Sequence, residues 1–422
     1  MGLLIKGGRV LDPAHGIDEV MDILIEGDRI AETGKLAKSK GHEAIDASGK
    51  LVVPGLIDMH CHLREPGFEY KEDIASGTRA AAAGGFTTVC CMPNTSPIND
   101  NRSVTEFILT QAASAGHCRV IPIGAITKGS AGAELTEMGD LADAGCLAFS
   151  DDGKPVMTAE MMRRALEYSK TFGKAIISHC EDMSLSAGGV MHEGAASTRL
   201  GLKGIPSAAE EVMVARDIAL ARLTGGRLHI AHVSTEGSVG LIRRAKKDGI
   251  RITAETCPHY FTLTDEDVLA YNTNLKVNPP LRAARDTQAV MKGLADGTLD
   301  VIATDHAPHA ASEKQVEFDL APFGISGFET AFALSIQLVH AGRLSLMELI
   351  KKFTVNPAWA LGIELPSLGT GSRADVTIID LELKRTVDPA AMLSKGKNTA
   401  FAGMKLKGWP VETIVAGRRI TG

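Results

Sequence analysis

A histidine pair follows directly on an apolar run near the amino end of the chain. Residues 58–64 have the sequence DMHCHLR. Because side chains alternate faces along a strand, His60, His62 and Arg64 should point the same way. Two imidazoles on one face can hold a divalent metal ion, and the guanidinium is left for an anionic substrate. An isolated H-x-H pattern is more often a pair of surface histidines, so other strand ends must decide its meaning.

Three later apolar runs also end in a residue type that binds metals. They are IISH, which ends in His179, IAH, which ends in His232, and IATD, which ends in Asp305. Separately, each residue could be a core histidine or a helix-capping aspartate. Repeated placement of ligand types at strand ends predicts one metal site instead. His229, three positions before His232, should face outward and have a structural role.

Short apolar runs alternate with helical segments over most of the chain. The runs cover residues 51–59, 87–92, 120–126, 147–149, 175–178, 228–232, 250–255 and 301–304. Eight such runs separated by helices predict an α/β fold with a (β/α)₈ TIM-like barrel, whose chemistry occurs at the carboxyl ends of the strands. Two helix starts carry the pattern of a capping box, Ser207 with Glu210 and Ser345 with Glu348.

Three segments place a glycine turn between short apolar strands and are predicted to be β-hairpins: residues 5–10, 25–30 and 415–420. Two lie at the amino end and one at the carboxyl end. The simplest arrangement is therefore one small β-sandwich domain formed by residues 1–53 and 366–422. The hydrolase barrel would then comprise residues 54–365.

Composition excludes several classes of protein. The 422 residues include 51 acidic and 45 basic side chains, for a net charge of −6, and 44% are hydrophobic, which excludes a disordered chain. The lack of a sustained basic run argues against nucleic-acid binding. No uncharged apolar stretch approaches the ~18 residues of a membrane span, so no membrane partner is expected. Seven scattered cysteines predict a reducing cytoplasm. P-loop, G-x-G-x-x-G and G-x-S-x-G motifs are absent.

Taken together, these features resemble the metal-dependent amidohydrolase superfamily, over essentially the whole chain. Five motifs closely resemble bacterial class I dihydroorotases: DMHCHLREPG (58–67), CMPNT (91–95), NPPLR (278–282), TDHAPH (304–309) and GISGFET (324–330). The resemblance implies a zinc-dependent, reversible interconversion of N-carbamoyl-L-aspartate and L-dihydroorotate in pyrimidine biosynthesis.

The resemblance also implies a metal centre with one or two zinc ions. The matching ligand positions are His60, His62, His179, His232 and Asp305, together with an acidic bridge. Residues 149–153 (FSDDG) are similar to the dihydroorotases that use an aspartate as bridge, and Asp151 is the expected residue. Asp152 suits a turn or a helix cap better, and a carboxylated Lys154 would lie past a glycine, beyond the strand end.

The resemblance assigns roles around the substrate as well. Metal ions would supply hydroxide and polarise the ring carbonyl, while Asp305, the catalytic residue, moves a proton from the attacking water to the departing amide nitrogen. The implied substrate-binding residues are Arg64, Asn94, Asn278, His309, Pro322, Phe323 and Gly324. Arg64 would bind the substrate carboxylate. Residues 310–323 could form a loop that closes over the substrate.

Two alternatives remain open at this stage. Hydantoinases, dihydropyrimidinases and allantoinases are related enzymes, but they usually carry a bridging lysine, and Arg64, Asn94 and the aspartate bridge favour dihydroorotase. A non-catalytic paralogue is the second alternative, although such proteins typically lose metal ligands. For partners, the resemblance implies a homodimer and, in some relatives, association with aspartate transcarbamoylase.

Overall fold

The computed structural model describes residues 2–36 and 41–420 as a mixed α/β chain. The strands are β1 (Leu3–Asp12), β2 (Ile17–Glu26), β3 (Arg29–Gly34), β4 (Glu43–Asp46), β5 (Leu51–Pro54), β6 (Leu56–Cys61), β7 (Phe86–Cys91), β8 (Arg119–Pro122), β9 (Ala148–Phe149), β10 (Ala175–Ser178), β11 (Met191–His192), β12 (Gly204–Ile205), β13 (Arg227–Ile230), β14 (Ile252–Thr256), β15 (Val301–Ile302), β16 (Val376–Thr386), β17 (Lys405–Val415) and β18 (Arg418–Ile420). The α-helices are α1 (Ile74–Ala83), α2 (Arg102–Ala115), α3 (Met138–Ala144), α4 (Ala159–Lys170), α5 (Met183–Ser186), α6 (Ala195–Leu200), α7 (Ala208–Thr224), α8 (Glu236–Lys247), α9 (Pro258–Thr262), α10 (Ala284–Ala295), α11 (Ala311–Lys314), α12 (Phe328–His340), α13 (Leu346–Phe353) and α14 (Val355–Leu361). Short 3₁₀ helices span Lys128–Ser130, Asp265–Ala270, Thr273–Leu275 and Pro389–Ala391.

Eight parallel strands form a closed barrel in the order β6, β7, β8, β9, β10, β13, β14 and β15. Two backbone hydrogen bonds close the barrel where the sheet of β6, β7 and β8 meets the sheet of β9, β10, β13, β14 and β15. The Gly124 amide donates to the Ala148 carbonyl at 3.1 Å, and the His62 amide donates to the His306 carbonyl at 2.8 Å. Because the strands are parallel, all their carboxyl ends meet at one rim. The predicted (β/α)₈ barrel is confirmed.

The first apolar run is divided between two domains. Residues 51–54 form β5 of the terminal β-rich domain, and residues 56–61 form β6 of the barrel. Gly55 lies between them, where a Cβ atom would be only 2.1 Å from Thr87 Oγ1. A side chain at this position would therefore collide with β7, so glycine allows the chain to pass closely from one domain to the other.

Both terminal segments contribute to one β-rich domain, as predicted. Its eight strands form a single mixed sheet with the order β18, β17, β16, β5, β1, β2 and β3, and β4 pairs with β1. Alternating apolar residues of this sheet, among them Ile5, Ile23 and Ile378, are fully buried in a core of their own. The termini thus fold together beside the barrel.

Two of the three predicted hairpins form, and one does not. The turns between β2 and β3 and between β17 and β18 are confirmed by antiparallel pairing. The predicted hairpin at residues 5–10 is wrong, because β1 runs through as one strand with a bulge between Ile5 and Gly8. The Gly7 amide donates instead to Asp22 Oδ1 at 2.8 Å, so the two glycines accommodate a bulge and not a turn.

The two predicted capping boxes also differ in outcome. Ser345 and Glu348 cap α13 reciprocally, as expected. Ser207 makes no side-chain cap for α7, so that prediction is wrong. Glu210 is buried and accepts hydrogen bonds from the Ser234 and Thr235 amides at 3.1 and 3.2 Å. Its carboxylate therefore holds the segment that follows His232 and does not take part in a cap of α7.

The main apolar core lies between the barrel strands and the surrounding helices. A separate cluster joins barrel-strand residues such as Ile57 and Ile177 to Ala358 and Leu361 of α14. The barrel rim is thus built on a packed scaffold.

Within residues 2–36 and 41–420, every helix is too short or too polar to cross a bilayer.

Candidate active site

The five metal ligands expected from strand ends converge at the carboxyl rim of the barrel. They are His60, His62, His179, His232 and Asp305, and all are buried. Asp305 Oδ1 lies 3.1 Å from His62 Nε2 and 3.6 Å from His60 Nε2. On the other side, His179 Nδ1 lies 2.8 Å from His232 Nε2. The predicted residues therefore form one cluster.

The structure brings Asp152, and not the expected Asp151, to the histidines, which corrects the sequence prediction and makes Asp152 the candidate sixth donor. Asp152 Oδ1 lies 3.3 Å from His60 Nε2 and 3.6 Å from both His179 Nδ1 and His232 Nε2. Its Oδ2 lies 3.6 Å from His62 Nε2. One carboxylate thus faces imidazoles with both oxygens, which is the placement required of a bridging ligand.

Asp151 is turned away from the histidines by its own hydrogen bonds. Its Oδ1 accepts from the Ile126 and Thr127 amides at 2.8 and 3.0 Å, and its Oδ2 accepts from the Thr127 hydroxyl. The side chain therefore fixes the segment after β8. Lys154 is exposed and is excluded as a carboxylated bridge.

The cluster contains buried polar atoms that a cation would satisfy. Within the described ranges, His60 Nε2 and Asp152 Oδ1, which lie 3.3 Å apart in the cluster, are buried and have no hydrogen-bond partner. Unpaired polar atoms are costly in a protein interior. Two overlapping sets of donors have ligand atoms within 4.8 Å of one another, His60 with Asp152 and His232, and His60 with His62 and Asp305. Imidazole and carboxylate donors in this number fit a divalent metal ion.

Three of the four histidines donate their outer ring N–H to an acceptor and turn the other nitrogen inward. His60 Nδ1 donates to Glu255 Oε1 at 2.7 Å. His62 Nδ1 donates to Asn94 Oδ1 at 2.9 Å, and His179 Nε2 donates to Glu181 Oε2 at 3.0 Å. Such outer contacts fix the ring and the tautomer of a metal-binding histidine.

Glu255 and Glu181 are site residues that sequence reasoning missed. Glu255 also accepts from His229 Nε2 at 3.1 Å, so His229 is buried and faces this network, and the prediction that it faces outward is wrong. Burial would raise the pKa of Glu255, but hydrogen bonds from His229 and His60 hold it far below its usual range. Glu255 ends an apolar run, so the rule that identified His179 could have identified it too.

Glu181 joins the histidine cluster to a predicted substrate-binding residue. Besides His179, its Oε2 accepts from Asn278 Nδ2 at 2.8 Å. Burial would raise the pKa of Glu181, but the hydrogen bonds from His179, Ser186 and Asn278 and the charge of His179 together lower it to about 2. The anionic carboxylate therefore orients an imidazole and an amide at once.

Three site residues have strained backbone conformations. Arg64, His232 and Asp305 have φ angles of 64°, 33° and 46°. Within residues 2–36 and 41–420, six non-glycine residues have a positive φ, and these three are among them. Left-handed conformations of non-glycine residues cost about 1–3 kcal/mol each and persist where the surroundings impose them. The surrounding structure therefore holds these three residues in backbone conformations that are locally unfavourable but that place their side chains at the rim.

The remaining predicted residues line the same rim. Arg64 Nη2 lies 3.5 Å from His309 Nε2, which also lies 2.8 Å from the Phe323 carbonyl oxygen. Burial and the neighbouring positive charge of Arg64 lower the pKa of His309 to about 3, so the imidazole is neutral. Lys71 Nζ lies 3.5 Å from His309 Nδ1 and is a further cation that the sequence did not reveal. Lys71 pairs with Glu313 at 2.8 Å, so Arg64 is the group that makes this side of the rim suitable for a carboxylate.

The segment predicted to close over the substrate contains α11 and is held by two lysines. Lys276 Nζ donates to the Phe318 and Asp319 carbonyls, each at 2.9 Å. Lys314 Nζ donates to the Pro322 carbonyl at 2.7 Å. Burial and the charge of Lys276 lower the pKa of Lys314 to about 7. These bonds fix the backbone of residues 318–322, which leads directly to the Phe323 carbonyl beside His309.

Replacing Glu255 by glutamine tests whether the carboxylate supports the cluster. The amide keeps the shape but loses the charge that raises the basicity of His60, so zinc affinity should fall by about 10- to 100-fold. Zinc titration of metal-free protein against a competing chelator measures this change. Glu329→Gln is the matched control, because Glu329 is a largely buried carboxylate that accepts from the Leu393 amide. Equal zinc affinity in the Glu255→Gln and Glu329→Gln variants would refute the role of Glu255.

Comparison with known proteins gives a consistent result. A family model described as "Dihydro-orotase-like" matches residues 49–238. A protein named "Dihydroorotase" from Pelotomaculum thermopropionicum is 62% identical over 419 residues, covering 99% of this chain and 98% of its own length. One with the same name from Syntrophotalea carbinolica is 59% identical over 418 residues, covering 99% and 98%.

Solved structures of related enzymes share the architecture. The L-hydantoinase (dihydropyrimidinase) from Arthrobacter aurescens superposes with a TM-score of 0.88 at 26% identity, covering 99% of this chain and 95% of its own. The D-hydantoinase (dihydropyrimidinase) from a Thermus species has a TM-score of 0.83 at 25% identity, with coverage of 99% and 94%. Full-length identity is far higher with the proteins named dihydroorotase than with these two hydantoinases. The chain therefore belongs to the dihydroorotase family of amidohydrolases.

Proposed function

We propose that this chain catalyses the reversible interconversion of N-carbamoyl-L-aspartate and L-dihydroorotate in pyrimidine biosynthesis, at the carboxyl rim of its barrel. The observation that carries this proposal is the position of Arg64, Asn94 and His309 beside the histidine and aspartate cluster. In a cyclic amide that carries a carboxylate, the reacting amide bond would lie at the cluster and the carboxylate would lie at Arg64. Incubation of the zinc-loaded protein with N-carbamoyl-L-aspartate should yield L-dihydroorotate, measured by chromatography, and no product would contradict the proposal.

The ligands proposed for zinc are His60, His62, His179, His232, Asp305 and Asp152. Six donors exceed the four that a single tetrahedral zinc ion takes, which supports two ions held by these six residues. When bound, zinc supplies a hydroxide nucleophile at neutral pH and polarises the carbonyl under attack. Elemental analysis of the purified protein should give two zinc ions per chain.

Asp305 is proposed as the group that moves the proton. Burial would raise the pKa of Asp305, but the hydrogen bond from His62 and the charge of His60 lower it, so the carboxylate can accept a proton. In the hydrolytic direction it takes the proton of the attacking water and delivers it to the amide nitrogen as the ring opens. In the reverse direction it removes the proton from the attacking nitrogen as the ring closes.

Arg64 is proposed to bind the substrate carboxylate, with Asn94 and His309 assisting it. Asn278 and the backbone of Pro322, Phe323 and Gly324 are proposed to bind the ring. Arg64 Nε donates to the Pro308 carbonyl at 3.2 Å, which fixes the plane of the guanidinium. A fixed planar fork suits bidentate binding of a carboxylate.

The Arg64→Met variant should lose preference for carboxylated rings. A lost charge-assisted interaction should raise KM for L-dihydroorotate by about 10- to 100-fold, with little change for dihydrouracil, which lacks the carboxylate. Steady-state kinetics with both rings measure the effect. Arg163→Met is the control, because Arg163 is exposed and pairs with Glu167 on α4. An unchanged preference for L-dihydroorotate would place the carboxylate site elsewhere.

Location and assembly are further parts of the proposal. The seven cysteines are buried free thiols, which is compatible with the reducing cytoplasm expected from their pattern. We expect a homodimer, as the family resemblance implies, and the association of some relatives with aspartate transcarbamoylase makes that enzyme the candidate partner. Light scattering of the purified protein and co-purification with that enzyme test these two expectations.

A further inference from the structure

The connection between β16 and β17, residues 387–404, leaves the terminal β-domain and lies against the catalytic rim of the barrel. Within it, Met392, Ser394, Gly396 and Asn398 are buried, while the residues between them are more exposed. This period of two is typical of an extended segment with one face covered. The covered face packs on the two stretches that follow β15, residues 306–309 and 324–327.

Asn398 bonds to both of these stretches with a single side chain. Its Oδ1 accepts from the His309 amide at 2.9 Å and from the Ser326 hydroxyl at 3.1 Å. Its Nδ2 donates to the Gly324 carbonyl at 3.0 Å. The side chain is 4% exposed, so water competes little for these bonds. One buried amide thus fixes the distance between His309 and Gly324.

Gly396 explains how the connection comes close enough. A Cβ atom at this position would lie 2.5 Å from Pro308 Cβ and 2.9 Å from the His309 amide nitrogen. The Gly396 carbonyl accepts from the Ser326 hydroxyl at 2.7 Å. Backbone against backbone contact therefore sets the position from which Asn398 reaches the rim.

Glu72 anchors the same connection to the residue next to Asp305. Its carboxylate accepts from the Ser394 hydroxyl and from the Lys395 amide, the latter at 3.1 Å. Its Oε2 also lies 3.4 Å from His306 Nε2. The connection is therefore fixed independently of Asn398, so loss of the Asn398 amide should not release it.

We propose that Asn398 is a positioning residue through which the terminal β-domain sets the substrate-binding geometry of His309 and Gly324. This inference rests on the proposed function, because His309 and Gly324 are placed there as substrate-binding residues. Asn398 is too far along the chain from both to be part of their local loops, and it makes none of the contacts within the histidine cluster. Its loss should therefore weaken substrate binding and leave metal binding intact.

The kinetic test compares Asn398→Ala with a matched amide removal elsewhere. Misplacement of binding groups by about 1 Å can cost on the order of 100-fold, so KM for L-dihydroorotate should rise at least about tenfold while kcat changes less than about threefold. Zinc content should stay at the wild-type value. Asn356→Ala is the control, since Asn356 Nδ2 donates to the Asp300 carbonyl at 2.8 Å before β15 begins. An equal KM in the two variants would overturn the proposal.

A second variant separates the two halves of the contact. Asn398→Asp keeps an oxygen for the His309 amide and the Ser326 hydroxyl but loses the donor to Gly324. It should raise KM, because a buried carboxylate oxygen would face the Gly324 carbonyl oxygen to which Nδ2 now donates at 3.0 Å. A KM equal to the wild-type value in Asn398→Asp would remove Gly324 from the proposal.

Amide hydrogen exchange tests the positioning role without relying on the reaction. Asn398→Ala should speed exchange at the His309 amide and in residues 324–327, measured by mass spectrometry of peptic fragments, while Asn356→Ala should not. Unchanged exchange there would overturn the proposal. A wild-type protein without activity toward L-dihydroorotate would refute the proposed function, and the exchange data would still decide whether Asn398 positions these residues.

Discussion

Replacing Asp305 by alanine should lower kcat for ring opening by on the order of 10³-fold or more while leaving the fold and most of the metal in place. General acid–base groups contribute about 10²- to 10⁴-fold, and here one carboxylate serves both proton transfers. The other five donors of the cluster remain, which is why metal should be retained. Ring opening followed by ultraviolet absorbance, with zinc measured in the same sample, gives both numbers.

Asp248→Ala is the control for the Asp305 variant. Asp248 lies at the end of α8 and pairs with exposed Arg222 at 2.8 Å on the outer layer of the barrel. It should keep wild-type kcat, because exposed ion pairs contribute little. If Asp305→Ala retained near-normal turnover with zinc bound, proton transfer would have to be assigned to another group.

Asp152→Asn should lose zinc, whereas Asp151→Asn should lose stability. Asp152→Asn removes the charge between the imidazoles, so at least one zinc ion should be lost, while the thermal midpoint of the metal-free protein changes little. Asp151→Asn should keep its zinc but lose about 1–3 kcal/mol of stability, because an amide N–H would replace an oxygen that accepts buried backbone and hydroxyl donors. Elemental analysis and thermal unfolding of both variants give a two-by-two comparison in which each variant is the other's control.

The reverse pattern, with zinc lost from Asp151→Asn and retained by Asp152→Asn, would restore the assignment made from the sequence. It would also require the carboxylate of Asp151 to leave the amides of Ile126 and Thr127. If neither variant lost zinc, the histidines and Asp305 would suffice to bind it.

The positions of most donors could be predicted because they depend on periodicity and on strand ends. An apolar run that ends in histidine or aspartate needs only the barrel to bring it to the common rim. This argument succeeded for His179, His232 and Asp305. It could not distinguish Asp151 from Asp152, because β9 has two residues and the alternation of faces is lost after Phe149.

The strand-end position of Glu255 could be read from its apolar run, but the contacts of Glu255 and Asn398 could not be predicted, because their partners are remote in the sequence. Glu255 lies 195 positions from His60, and Asn398 lies 89 positions from His309. Neither residue type nor local pattern indicates such a contact. The tertiary structure alone pairs these carboxylate and amide groups with His60 and His309, so sequence reasoning could place a strand-end residue at the rim but could not assign its partner.

The most direct test of the proposed activity is ring opening of L-dihydroorotate, compared with dihydrouracil, hydantoin and allantoin, before and after removal of metal by a chelator. We expect activity confined to L-dihydroorotate, lost on chelation and restored by zinc. Preference for a ring without a carboxylate, or full activity after all metal has been removed, would contradict the assignment of Arg64 and of the histidine and aspartate cluster.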